Sequence, residues 1–315
     1  MSQNLRRSRR LNSDPDKKDS IPQWFFAAFT GDRSGSMGSM KGASATGLYD
    51  WVKTMKETAE TNNQTGFISV TTFDNETKRV FDNVDTKTIQ FTEEDAIREM
   101  TPRGTTRLYD TAVEDLDRLL KNVETFRNSL HPYAKALNPK ISVTWVCCTD
   151  GKDNESIEYF KGDLKERVLL ARKKGVKCFF IAANQDAVLT GSSYGFSGAN
   201  SLSFSANKQN AECAFRSVSY NMRRASSGSN NTQFTQNMRV SSLASDDSLG
   251  STLPTIAQPP AATLAVSPSF DPLNQTIRRP RRPRRTIIPL GTIPQTPTRL
   301  HRQSRFHWIH SRFEQ

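Results

Sequence analysis

Long apolar runs are missing from this 315-residue sequence. The longest are strand-sized, well short of the roughly 18 residues that a membrane-crossing helix needs, so no membrane span is expected. Cysteine is scarce: Cys147, Cys148, Cys178 and Cys213 are the only four. Three sit inside apolar runs and none has zinc spacing, which speaks against a disulfide framework and for reduced core thiols. Histidine is equally rare, with His131, His301, His307 and His310. Only His131 precedes the C-terminal segment, so a histidine-ligated metal centre in the core is excluded. Met1–Lys18 is polar and basic without an apolar stretch, so no secretory signal is read there. These absences together point to a cytoplasmic or, given the basic C-terminal arm described below, nuclear protein. Apolar residues make up only 35% of the chain, low enough that part of it is expected to lie outside any folded core.

Charge is present but unevenly placed. The net charge is +12. Residues 1–20 hold six Lys/Arg and three Asp/Glu, and residues 278–315 hold ten Arg and one Glu. The remaining body, 21–277, has 28 basic and 28 acidic residues and is neutral. A neutral body with basic ends does not read as a globular nucleic-acid-binding domain.

Between Ile21 and Arg224 strand-like and helix-like patterns alternate. Trp24–Phe29 is a short apolar run. Leu48, Trp51, Val52, Met55 and Ala59 then recur at helical spacing. Phe67–Phe73 reads as a strand, with Lys78–Val84 as its hairpin partner or an edge strand. Val113, Leu116, Leu119, Leu120, Val123 and Phe126 form the clearest helical face. Ile141–Cys148 and Val176–Ala183 are continuous β-rich runs, as in strands covered on both faces. Helices are expected over Ser156–Lys174 and Gln209–Arg224, and a short strand over Ser201–Ser205. Such alternation implies an α/β fold with a doubly wound, mainly parallel sheet and helices on both faces. Ligands in such folds bind beyond the carboxyl ends of the strands.

The four expected regions are a basic disordered N-terminus (1–20), the α/β domain (21–224), a Ser/Pro/Asn-rich disordered linker (225–277) and an Arg/Pro-rich basic tail (278–315). The linker has too few apolar residues to offset its chain entropy. Prolines in Arg278–Arg285 block a helix, making the tail an extended arm. That arm reads as a contact for nucleic acid or another polyanion, as a nuclear address, or as a solubilising tail.

Three expected strand ends carry oxygen donors. Asp32-Arg33-Ser34-Gly35-Ser36 follows the first strand, Gly104-Thr105-Thr106-Arg107-Leu108-Tyr109-Asp110 precedes the clearest helix, and Thr149-Asp150-Gly151 follows the Ile141–Cys148 strand. The set is all hard oxygen, suiting Mg²⁺ or Mn²⁺ and not zinc. Alternation in Asp-x-Ser-x-Ser turns three side chains of one tight loop toward one point, and Gly35 permits the bend. With only two carboxylates the ion stays electrophilic, so an outside acidic side chain is an attractive further ligand.

This combination resembles the von Willebrand factor A (vWA) domain with its metal-ion-dependent adhesion site, over about Trp24–Arg224. The stretch Ile181–Ala187 is similar to intracellular, bacterial-type members. The resemblance implies Asp32, Ser34, Ser36 and Thr106 as metal ligands, with Asp150 acting through water. Where the family often has Gly-Gly-Thr, this chain has Gly104-Thr105-Thr106, so Thr105 is the alternative ligand. It further implies no enzymatic activity: a metal-dependent protein-binding module whose cation, Mg²⁺ or Mn²⁺, is completed by an Asp or Glu of a protein partner. The alternatives are a polyanion-binding protein acting through Arg278–Arg285 with the core as scaffold, and a Mg²⁺-dependent hydrolase, for which a general base is missing.

Simpler readings compete at single residues. Asp32 and Ser36 as mere helix caps account for the first loop but not for Thr106 and Asp150. Ser36 as a nucleophile elbow lacks the preceding Gly, since Ser34 stands there. Asp74 and Asn75 read as turn formers, Asp153 and Asn154 as solvated loop, Asp110 as a helix-start carboxylate, and Trp145, Cys147 and Cys148 as strand core. Arg223-Arg224-Ala225-Ser226 resembles a basophilic kinase site.

Overall fold

A computed structural model of the chain describes residues 23–244. Six strands form one sheet: β1 Gln23–Asp32, β2 Thr65–Phe73, β3 Thr77–Asp85, β4 Lys140–Thr149, β5 Lys177–Ala183 and β6 Ser201–Phe204. Their spatial order is β3-β2-β1-β4-β5-β6. All neighbours are parallel except β3, which runs antiparallel to β2, so Lys78–Val84 is both hairpin partner and edge strand. The order is that of a doubly wound sheet, and it reverses between β1 and β4. The crevice outside their carboxyl ends is therefore the place for a ligand.

The described residues form eight α-helices, the last two after β6: α1 Ala43–Thr61, α2 Glu93–Glu99, α3 Leu108–Ser129, α4 Pro132–Ala136, α5 Lys161–Lys173, α6 Ala187–Ser193, α7 Lys208–Ser226 and α8 Gln236–Ser241. Alternation along each strand feeds two cores. Phe25, Ala27 and Phe29 of β1 join Trp51, Met55, Phe215 and Met222 beneath α1 and α7. Phe26 and Ala28 join Trp145, Leu116, Leu119, Leu164 and Val168 beneath α3 and α5. Each fully buried Phe contributes about 1.5–3 kcal/mol over an exposed one. Cys147, Cys148 and Cys178 are buried free thiols, and burial raises the pKa of each.

Two expectations are corrected. The helix read over Ser156–Lys174 begins only at Lys161, because residues 150–160 form a loop held by side-chain bonds to the start of α3. The linker expected from residue 225 also starts too early. Helix α7 continues to Ser226, Phe234 is buried with its ring 6.0 Å from that of Phe179, and α8 follows. Arg239 donates to the carbonyls of Ser201, Gly198 and Ala199 at 2.7–3.2 Å, and the Ser205 N–H donates to the Ser242 carbonyl at 3.1 Å. One Phe and one Arg thus anchor this polar segment across the β6 end of the sheet, with no apolar periodicity to announce it. The N-terminal region 1–20, the rest of the linker and the Arg/Pro tail lie outside the described residues. No described helix is long and apolar enough to cross a membrane.

Candidate metal centre

Strand β1 delivers Asp32 at its last position, fully buried. Its Oδ1 accepts the Ser34 N–H at 2.7 Å, an Asx turn that bends the chain into a 3₁₀ segment, Gly35–Met40. Its Oδ2 accepts the Thr149 hydroxyl at 2.6 Å, which ties the ends of β1 and β4 together. The Ser34 and Ser36 hydroxyl oxygens lie 3.1 Å apart, and Ser36 donates to Asp150 Oδ1 at 2.7 Å. Asp32, Ser34, Ser36 and Asp150 therefore form one continuous polar chain across the switch point.

Thr106 completes the group from the loop between α2 and α3. A Cβ placed on Gly151 would lie 3.3 Å from Thr106 Oγ1 and 3.9 Å from Ser36 Oγ, so glycine keeps the space between these hydroxyls open. The Thr106 N–H donates to Asn154 Oδ1 at 2.8 Å, and its carbonyl accepts the N–H groups of Asn154 and Glu155 at 3.0 and 3.2 Å. Thr105 points elsewhere, its hydroxyl donating to Glu155 at 2.9 Å. Of the two adjacent threonines, Thr106 is the one the fold brings to Ser36 and Gly151.

The loops are zipped to one another. The Gly35 N–H donates to the Gly104 carbonyl, the Arg103 N–H to the Arg33 carbonyl, and the Arg107 N–H to the Asp74 carbonyl, at 2.8–3.2 Å. Gly104 adopts φ +66°, and a side chain there would strike Asn75. Asp74, read from sequence as a turn former, is fully buried and faces Arg33 at 2.9 Å and Arg103 at 2.6 Å. Arg33 directly follows Asp32 and is itself 5% exposed, so Asp74 holds the first loop against the second.

Asp110 stands at the start of α3 and not among the rim donors. It accepts the N–H groups of Ile157, Glu158 and Tyr159 at 2.7–3.1 Å and pairs with Arg107 at 2.9 Å. Asp153 and Asn154 are not merely solvated either. Asp153 accepts the Tyr109 N–H and the Ser156 hydroxyl, while Asn154 positions Thr106. Sequence reasoning missed these positioning roles, since each bond joins segments more than 40 residues apart except that to Ser156. Ser226 is fully buried, which removes it as a kinase target in the folded protein. His131 caps α4, accepting the Tyr133 N–H.

Burial is the largest influence on Asp32 and lifts its pKa to about 6, against hydrogen bonds from Thr149 and Ser34; the Asp150 charge adds to the rise. Burial likewise raises Asp150, and the Ser36 hydrogen bond works against it. Keeping both carboxylates ionised side by side is unfavourable without a counter-charge. No group of three His, Cys, Asp or Glu side chains capable of holding a metal gathers among the described residues. The donor set is instead two carboxylates and three hydroxyls, all oxygen, which fits a hard divalent cation.

Strand order, the switch-point position and the meeting of all three motifs on one rim agree with the resemblance read from the sequence. The fold is the one that resemblance implies, a doubly wound, mainly parallel sheet with helices on both faces. No family model matches the chain, and no curated protein matches it. Solved structures similar to this α/β body include proximal thread matrix protein 1 from the mussel byssus, at 17% identity over 65% of this chain and 47% of that one, with a TM-score of 0.40. A form of the same byssus protein with a zinc-occupied adhesion motif matches at 18% identity over 65% of this chain and 46% of that one, TM-score 0.38. A von Willebrand factor type A protein from Catenulispora acidiphila matches at 12% identity over 64% and 43%, TM-score 0.42. The chain spans less than half the length of these structures.

Proposed function

We propose that the vWA body is a metal-dependent protein-binding module. Asp32, Ser34, Ser36, Thr106 and Asp150 would hold a divalent cation, Mg²⁺ or Mn²⁺, and the bound cation would act as a Lewis acid toward an acidic side chain of a partner protein. The observation that carries this reading is the chain of contacts from Asp32 through Ser34 and Ser36 to Asp150, with Thr106 facing the same space across Gly151. Ser34, Ser36 and Thr106 are neutral donors, so the two carboxylates at most balance the ion. Five donors leave an octahedral ion at least one open position, and with Asp150 acting through water the ion stays electrophilic toward one more anionic ligand. An amide or apolar group cannot replace a carboxylate there, which supplies specificity.

Binding, and not catalysis, is the activity assigned. Asp32 is occupied by Ser34 and Thr149, and Asp110 by the loop at 157–159. His131, the one histidine among the described residues, serves as the cap of α4. A general base is therefore not at hand. The Arg/Pro tail is assigned a separate, salt-sensitive contact with a polyanion, which would make the chain an adaptor.

Titration calorimetry of the full chain with Mg²⁺ and Mn²⁺ tests the metal site: one ion per chain is expected, and none for Asp32→Ala. Equal uptake by both proteins would sink the assignment. Affinity capture with and without EDTA tests the partner mechanism, with loss of capture expected under chelation.

A further inference from the structure

Beside the rim lies a cleft of about 550 Å³ lined by Ser39, Lys41, Ala206, Asn207, Lys208 and Gln209. It is joined to the site by covalent chain and by hydrogen bonding. Ser39 donates its hydroxyl to the Ser36 carbonyl at 3.0 Å, and Ser36 is one of the rim donors. Both walls are pinned. The Lys41 N–H donates to the Gly38 carbonyl at 3.2 Å, and opposite, the Ala206 N–H donates to Asn184 Oδ1 at 2.9 Å.

Among the described residues, the charge in this cleft has little compensation. Lys41 and Lys208 are exposed. Lys41 is in no ion pair among the described residues, and Lys208 reaches only Glu212, one turn on, at 4.0 Å. No carboxylate lines the cleft. Two ammonium groups in a concave site attract anions.

Resting on the reading of the rim as a cation site that accepts a partner carboxylate, we infer that this cleft takes a second carboxylate from the same partner. The ligand is then an acidic peptide with two carboxylates two or three residues apart. Ser36 and Ser39 are one turn of 3₁₀ helix apart, about 6 Å. An extended peptide advances about 3.3 Å per residue, so two or three residues cover about 7–10 Å.

The test uses the full chain and two labelled Gly/Ser peptides, one with a single Glu and one with a second Glu three residues further on. Fluorescence anisotropy in Mn²⁺ should show the two-Glu peptide binding about three- to tenfold tighter, an advantage that shrinks at high salt. Lys41→Gln together with Lys208→Gln should erase the advantage while leaving Mn²⁺ uptake and single-Glu binding unchanged. Equal affinity for the two peptides overturns the second contact alone. An advantage that survives both lysine replacements also overturns it, assigning the gain to the arginine tail. Failure of both peptides to bind above the chelated control overturns the cation reading and this inference with it.

Discussion

The Ser36 hydroxyl donates to Asp150 Oδ1 at 2.7 Å across 114 positions of sequence. That contact exists because β1 and β4 are parallel neighbours in register, Gly31 beside Cys148, so that both loops leave the sheet at the same edge. Thr149 and Asp32 add a second crosslink just below it. Asp32 and Thr149 end two adjacent buried strands, and Thr106 reaches the rim from the loop between α2 and α3.

Metal uptake should depend on pH through Asp32. Burial lifts this carboxyl to about 6, and a proton competes with a cation for it. Uptake should therefore weaken as pH falls through about 6, with Mn²⁺ affinity about tenfold lower at pH 5 than at pH 7. Calorimetry at the two values checks this, and equal affinities would contradict it.

Thr105 and Thr106 should differ sharply although adjacent. Thr106→Ala removes a hydroxyl that faces Ser36 across Gly151 and should weaken metal binding by about tenfold or more. Thr105→Ala removes only the bond to Glu155 and should leave affinity within about twofold. Parallel titrations of the two variants decide the matter.

Asp115 offers a stability test away from the metal. It is buried on α3, accepts the hydroxyls of Thr30 at 2.8 Å and Thr71 at 2.9 Å, and is lifted to about 6 by burial, against those hydrogen bonds and the Arg79 charge. Trp145 donates to the same Thr30 oxygen at 2.8 Å. A raised folded pKa favours the folded state below the unfolded value, and this advantage is lost as pH rises to about 6. Relative to wild type, Asp115→Asn should therefore gain up to about 3 kcal/mol between pH 4 and pH 6 and level off above. Urea unfolding of both proteins across that range measures the shift; a difference independent of pH would refute it.

The segment after Arg224 should prove structural. A chain ending at Arg224 loses Phe234 from the core and Arg239 from the carbonyls of residues 198–201. Losing a buried Phe alone costs about 3–5 kcal/mol. Its melting temperature should fall by about 10 °C against a chain ending at residue 244. Coincident melting curves would show that the segment adds nothing.

What the sequence by itself determined was local and periodic: strand and helix alternation, the β-rich runs of β4 and β5, the apolar face of α3, and three oxygen-bearing motifs, of which the structure puts two at strand ends and the third, expected at a strand end, in the loop between α2 and α3. Period and composition are carried by neighbouring residues, so they are legible without the fold. Even Asp115 left a trace, a carboxylate set among the apolar spacings of α3 at Ala112 and Leu119. Only the tertiary structure decided which threonine faces Ser36, why Asp74 and Asp110 are buried, where α5 begins, and that Phe234 returns to the core. Each of those depends on a contact between segments far apart in the chain, where hydrogen-bond partners and charge pairs are chosen by the packing of the sheet and leave no period in the sequence.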